Sequence, residues 1–142
     1  METITLDQDI RVFYIQAESF PGGIMDANQK LHELVPFSKD REYYGISRPE
    51  GGPIIYRAAA TELFPGEAAK LNCETLVLPK GKYVCLTLPN YREQIPAIEG
   101  AFKEILALPG LDPNGYCVEW YLHDSASGLP DRDVKCMVRL VD

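Results

Sequence analysis

The sequence holds little of what the commonest chemistries require. Two histidines, His32 and His123, lie far apart in the 142 residues, and neither has a nucleophile beside it in a recognisable local motif. The four cysteines, Cys73, Cys85, Cys117 and Cys136, form no C-x-x-C pair and have no histidine at ligand spacing. Neither a zinc site nor a dithiol redox motif is supported, so no metal or other cofactor is expected. Each cysteine stands among apolar neighbours and reads as a small core residue. No apolar run approaches the roughly 18–20 residues of a membrane-spanning helix. The opening Met1-Glu-Thr-Ile-Thr-Leu-Asp7 lacks a basic stretch followed by an apolar one, so a reduced, cytoplasmic protein is expected, with no membrane association. Basic charge is also scarce. Fourteen Lys and Arg stand against 21 Asp and Glu, a formal charge of −7, and no segment gathers a phosphate-neutralising stripe, which argues against direct nucleic-acid binding.

What is present is an ordinary globular composition, 46% hydrophobic and 25% charged, at a length that suits one domain over 1–142. Within it the sequence repeats. Ile24, Ala27, Leu31, Leu34 and Val35 mark one face of a helix, and Ile95, Ile98, Phe102, Ile105 and Leu106 repeat the spacing. Leu31 and Phe102 are therefore expected at equivalent core positions. Glu2-Thr-Ile-Thr-Leu6 is echoed by Glu74-Thr-Leu-Val-Leu78, and second strands are expected over 10–17 and 82–88. After the helices, β-rich runs occupy 42–47 and 53–61 in the first part, and 116–122 and 134–141 in the second. Turn chemistry separates them, at Pro79-Lys-Gly81, Arg48-Pro-Glu-Gly-Gly-Pro53, Asp112-Pro-Asn-Gly115 and 125–133.

Each half thus reads strand, strand, helix, strand, strand. The pattern predicts an α+β fold in which pseudo-repeats 1–70 and 71–142 share one antiparallel sheet of about eight strands, with two helices on one face. A half of about 70 residues is marginal alone. The junction of the halves is where walls from two units would converge on a ligand cleft, expected on the face opposite the helices.

The most informative strand is Tyr116-Cys-Val-Glu-Trp-Tyr-Leu122. Alternation sends Val118, Trp120 and Leu122 one way and Cys117, Glu119 and Tyr121 the other. The first set is expected as core beneath a helix, which leaves Glu119 and Tyr121 pointing away from the helices. Two readings of Glu119 fit: a carboxylate on a solvated face, paired with a base such as Arg139, or one enclosed in a cleft. In Ile54-Ile-Tyr-Arg-Ala-Ala-Ala60, small residues flank Tyr56, which suits close helix packing or a cavity wall equally. Tyr43, Tyr44, Tyr83 and Tyr91 enlarge the stock of rings that could hold a cation.

With these residues in view, the chain resembles the GyrI-like small-molecule-binding family, to which effector-binding domains of multidrug-responsive bacterial transcription activators belong. The duplicated halves, Ser19-Phe-Pro-Gly-Gly-Ile24, Tyr44-Gly-Ile-Ser-Arg-Pro49, Leu78-Pro-Lys-Gly-Lys-Tyr83 and the Glu119-x-Tyr121 strand carry the resemblance from end to end. It implies a cleft between the halves in which a glutamate meets hydrophobic, cationic ligands. Glu119 is the matching position, Tyr121 follows the pattern, and Tyr56, Tyr44 and Tyr91 are candidate ligand contacts. No DNA-binding region precedes the first strand here, so a stand-alone effector-binding domain is the leading expectation. Some members of the family are hydrolases of strained electrophiles, in which Glu119 would be the general base. Others bind a protein partner, as a gyrase inhibitor does.

Overall fold

The computed structural model describes residues 1–91, 96–124 and 129–141. Its elements, in order, are β1 (Glu2–Leu6), β2 (Ile10–Gln16), α1 (Ile24–Leu34), β3 (Tyr43–Pro49), β4 (Ile54–Thr61), α2 (Glu67–Lys70), β5 (Glu74–Leu78), β6 (Gly81–Leu88), α3 (Pro96–Leu106), β7 (Cys117–Asp124) and β8 (Leu129–Arg139). The short α2 is an addition to the expected pattern. The last strand begins at Leu129, five residues before the expected position, which shortens the turn before it; 125–128 lie outside the described residues, as does Ile95 of the second apolar stripe. Proline opens α3 at its first position, where a missing N–H costs nothing.

All eight strands form one antiparallel sheet in the order β1-β6-β8-β7-β3-β4-β2-β5. Exchanging β1–β4 for β5–β8 reverses this order onto itself, so a pseudo-twofold passes through the β3–β7 ladder. Its consequence is reciprocal. The first strand of each half pairs with the second strand of the other: Glu2 stands opposite Cys85, and Glu74 opposite Tyr14.

Chain connectivity also dictates curvature. In a flat sheet β5 and β6 would be six strand spacings apart, about 29 Å. Pro79 and Lys80 alone connect them, a reach of about 11 Å. The sheet must therefore curl until its ends meet. The connection is pinned by Lys80 N donating to Asp9 Oδ1 (2.8 Å), Tyr83 Oη to the Pro79 carbonyl (2.7 Å) and Arg139 Nε to the Lys80 carbonyl (3.0 Å).

Curling buries one face of the sheet against itself. Val12 and Leu78 from one end join Tyr83 and Cys85 from the other, with Ile46, Val118 and Met137 between them, all buried in one cluster that contains no helix. The opposite face carries the helices. Ala27 and Leu31 of α1 pack on Phe13, Tyr43, Tyr56, Ala58 and Ala60. Ala101 and Ile105 of α3 pack on Val84, Val134, Cys136 and Val138.

Two expectations are corrected here. Leu31 has Ile105 as its counterpart, both essentially unexposed, while Phe102 is only half-buried. The faces of β7 are also the reverse of those expected. Val118 and Trp120 lie on the self-buried face, and Trp120 donates from Nε1 to Glu42 Oε2 at 3.2 Å. Cys117 and Tyr121 lie on the helix face, which carries Glu119 there with them. Hydrophobicity could not choose between the faces because the curled sheet buries both.

Candidate functional site

The β3–β7 ladder runs from Tyr43 opposite Tyr121 to Ser47 opposite Cys117, and its central pair is Gly45 opposite Glu119. Glu119 thus stands at the pseudo-twofold axis, between the patches covered by α1 and α3. Tyr56 enters from β4 and is buried. Tyr121 belongs to both helix-side clusters, and Tyr91, just beyond β6, leans on it with ring centroids 5.6 Å apart. Sequence reading missed Asn28 of α1 and Gly45. The Asn28 side-chain nitrogen reaches Tyr56 Oη at 3.0 Å. A Cβ at Gly45 would lie 2.5 Å from Tyr56 Oη and 2.7 Å from Tyr121 Oη, so this position must be glycine for the hydroxyls to lie over the strand. A glycine inside a strand is the signal for such close approach.

Tyr121 Oη donates to Glu119 Oε1 at 2.9 Å, and Tyr56 Oη lies 3.0 Å from Tyr121 Oη. Among the described residues no base is paired with Glu119. Arg139 stands on the other face, level with Tyr83, and bonds Asp112 and the Lys80 carbonyl, which removes it as a partner. Burial pushes the Glu119 carboxyl up to about 7, against the opposing pull of the Tyr121 hydrogen bond. The carboxylate is enclosed by protein, yet the residue keeps some accessible surface. Burial and then the Glu119 charge raise the Tyr56 and Tyr121 hydroxyls well above their ordinary range. The same causes push Cys117 up to about 11, and burial pushes Cys136, opposite Glu119 on β8, up to about 12. Thiols so raised are not nucleophilic.

Of the five residues singled out from the sequence, the structure brings together Glu119, Tyr121, Tyr56 and Tyr91. Tyr44 lies apart, on the self-buried face against Trp120 with centroids 6.2 Å apart. The face opposite the helices, where the cleft was expected, is filled by its own side chains. A shallow concavity of about 530 Å³ does lie along α2 and β5, lined by Arg11, Tyr14, Ala68, Cys73 and Glu74, but none of the clustered tyrosines borders it.

No family model and no curated protein matches the sequence. Solved structures do match the fold. The chain is similar to SAV2435 bound to tetraphenylphosphonium, with 13% identity, a TM-score of 0.66, and coverage of 99% of this chain and 93% of that one. It is similar to the EcmrR C-terminal domain at 9% identity and a TM-score of 0.58, covering 99% and 98% of the two chains. A hydrolase from Listeria innocua gives 11% identity and a TM-score of 0.59, over 99% and 91%. The chain shares its fold with these proteins over nearly its whole length, and no helix among the described residues is long and apolar enough to cross a membrane.

Proposed function

We propose that this chain is an effector-binding domain that takes up a lipophilic, cationic small molecule between α1 and α3, with Glu119 as counter-charge and Tyr121 and Tyr91 as ring walls. The observation that carries this reading is the Glu119 carboxylate itself, desolvated at the junction of the halves with one hydroxyl donor and no base beside it among the described residues. A carboxylate in that setting is costly until a positive charge reaches it. Aromatic walls attract the same charge through their ring faces. SAV2435, bound to tetraphenylphosphonium, supports the reading by analogy of fold.

Titration calorimetry with tetraphenylphosphonium tests it. Because Glu119 must be ionised to attract the cation, affinity should rise by up to ~10-fold between about pH 6 and pH 8 and then level off. Glu119→Gln should bind weakly at both values. Equal affinity of the variant and the natural protein at the higher pH would end this role for Glu119.

A second reading rests on the same carboxyl, whose near-neutral pKa suits a general base that takes a proton from water attacking a strained electrophile. The Listeria innocua hydrolase shares the fold. Product analysis with an aryl epoxide separates the two readings: turnover lost in Glu119→Gln supports hydrolysis, and its absence in the natural protein removes hydrolysis of that substrate.

A further inference from the structure

The polar groups around Glu119 form a chain whose direction is set from one end. The Asn28 side chain bonds the Ile24 carbonyl at 3.0 Å. A carbonyl has no hydrogen to give, so the Asn28 atom there is the amide nitrogen. The same nitrogen places its second hydrogen on Tyr56 Oη at 3.0 Å. Tyr56 therefore accepts from Asn28 and directs its one hydrogen to Tyr121 Oη, 3.0 Å away. Tyr121 directs its own to Glu119 Oε1 at 2.9 Å. From Asn28 to Tyr56, Tyr121 and Glu119, each bond is donated toward the carboxylate.

What the chain leaves for a guest is consequently acceptors alone: Glu119 Oε2 and the remaining hydroxyl lone pairs. Neither tyrosine can turn its hydrogen to a ligand without breaking a bond already made. The thiols that flank Glu119, Cys117 and Cys136, are weak donors.

We infer that this site, given the cation-binding role proposed above, selects cations that carry an N–H, such as protonated amines, over cations of the same shape that carry none. Either kind supplies the charge. Only the first also supplies a donor to the second carboxylate oxygen, which receives no protein hydrogen bond among the described residues and which a bound cation without an N–H would cover without bonding. A phosphonium or quaternary ammonium ion meets the electrostatic requirement and leaves the other unmet.

The test is calorimetry at about pH 8, where Glu119 is ionised and an alkyl amine is protonated. The probes are dimethyl(naphthylpropyl)amine and its quaternary counterpart trimethyl(naphthylpropyl)ammonium, with tetraphenylphosphonium alongside. The protonated amine should bind at least ~10-fold more tightly than the quaternary ion, and in Glu119→Gln the two should fall within about 2-fold of each other. Equal binding in the natural protein, or a preference for the quaternary ion, overturns the inference while leaving the cation-binding role standing. A preference that survives in Glu119→Gln also overturns it, because its source would lie elsewhere. If none of the three probes binds, the inference and the cation-binding role fall together.

Discussion

The two halves of the sheet share a frame and differ where they meet. At the axis the first half contributes Gly45, flanked on the same face by Tyr43 and Ser47, and the second contributes Glu119, flanked by Tyr121 and Cys117. One half supplies space and the other supplies charge. Symmetry itself makes this division necessary. Side chains directly opposite on adjacent strands are about 5 Å apart at Cβ, so glutamate in both halves would press two carboxylates together. Glutamate opposite glycine also admits the hydroxyls of Tyr56 and Tyr121 into the space the missing side chain leaves. The halves differ again beyond β4, where α2 places Glu67 against Arg41 in a buried ion pair, with Oε1 also 2.9 Å from Nη1 of Arg41 and accepting from Leu63 N.

This ion pair gives the largest expected effect. Glu67→Ala takes the carboxylate from a buried guanidinium and should lower unfolding stability by ~3–5 kcal/mol in urea titrations, with tetraphenylphosphonium affinity of the folded protein unchanged. Arg41 holds the Glu67 carboxyl below the usual carboxylate range. The pair's contribution is therefore present at neutral pH and fades as pH falls from the ordinary carboxylate range down through the lowered value, so the difference between the natural protein and the variant should narrow in acid.

Gly45→Ala breaks the asymmetry from the other side. Its methyl group would meet both tyrosine hydroxyls, and a loss of ~1–3 kcal/mol is expected. Unlike Glu67→Ala, it should also displace the hydroxyls from Glu119 and weaken cation binding. Unchanged affinity would show that Glu119 does not depend on the space Gly45 provides.

Glu119→Gln should move stability the opposite way. The folded-state pKa of Glu119 lies above its unfolded value, so the ligand-free protein loses stability as pH climbs from the ordinary carboxylate range through about 7. Above that, the variant should be more stable by about 3 kcal/mol, and near pH 4 the gap should close. Thermal melts at both values check this. A variant less stable at high pH would mean that the carboxylate is stabilising in the empty site.

The smallest effect is expected at Asn28. Asn28→Asp replaces a donor by an acceptor, so Tyr56 turns its hydrogen toward α1 and Tyr121 loses the bond it accepted. The weaker chain and the added negative charge should raise the Glu119 pKa by about 0.5 units, read by NMR titration. A fall in the pKa would contradict the donor direction.

Much of this architecture was legible before the structure, because the information was local. Helical spacing marked α1 and α3, alternation and turn residues marked the strands, and the echo of Glu2–Leu6 in Glu74–Leu78 disclosed the duplication. Alternation also grouped Glu119 with Tyr121 and Cys117. It could not say which group faced the helices, because that depends on the curl of the sheet, which arises from pairing between strands far apart in sequence. The misplacement of Tyr44 has the same origin: its neighbour Tyr43 is on the helix side, and one step along a strand changes the face. Asn28 gave no signal, since a polar residue on an amphipathic helix reads as solvated. Gly45 was visible as a glycine within a strand, but its meaning depended on two tyrosines from other strands.

The exchange of first strands between the halves also bears on how the chain reaches this structure. When β1 leaves the ribosome its partner β6 has yet to be made, and the Glu2–Cys85 pairing closes a loop of more than half the polypeptide. A nascent first half has β2, β3 and β4 available to pair with one another, while β1 waits and the β2 edge reserved for β5 stays open. Closure so late and so distant in sequence makes for slow folding. It also leaves an unpaired strand edge exposed in the meantime, a surface on which two nascent chains could pair with each other.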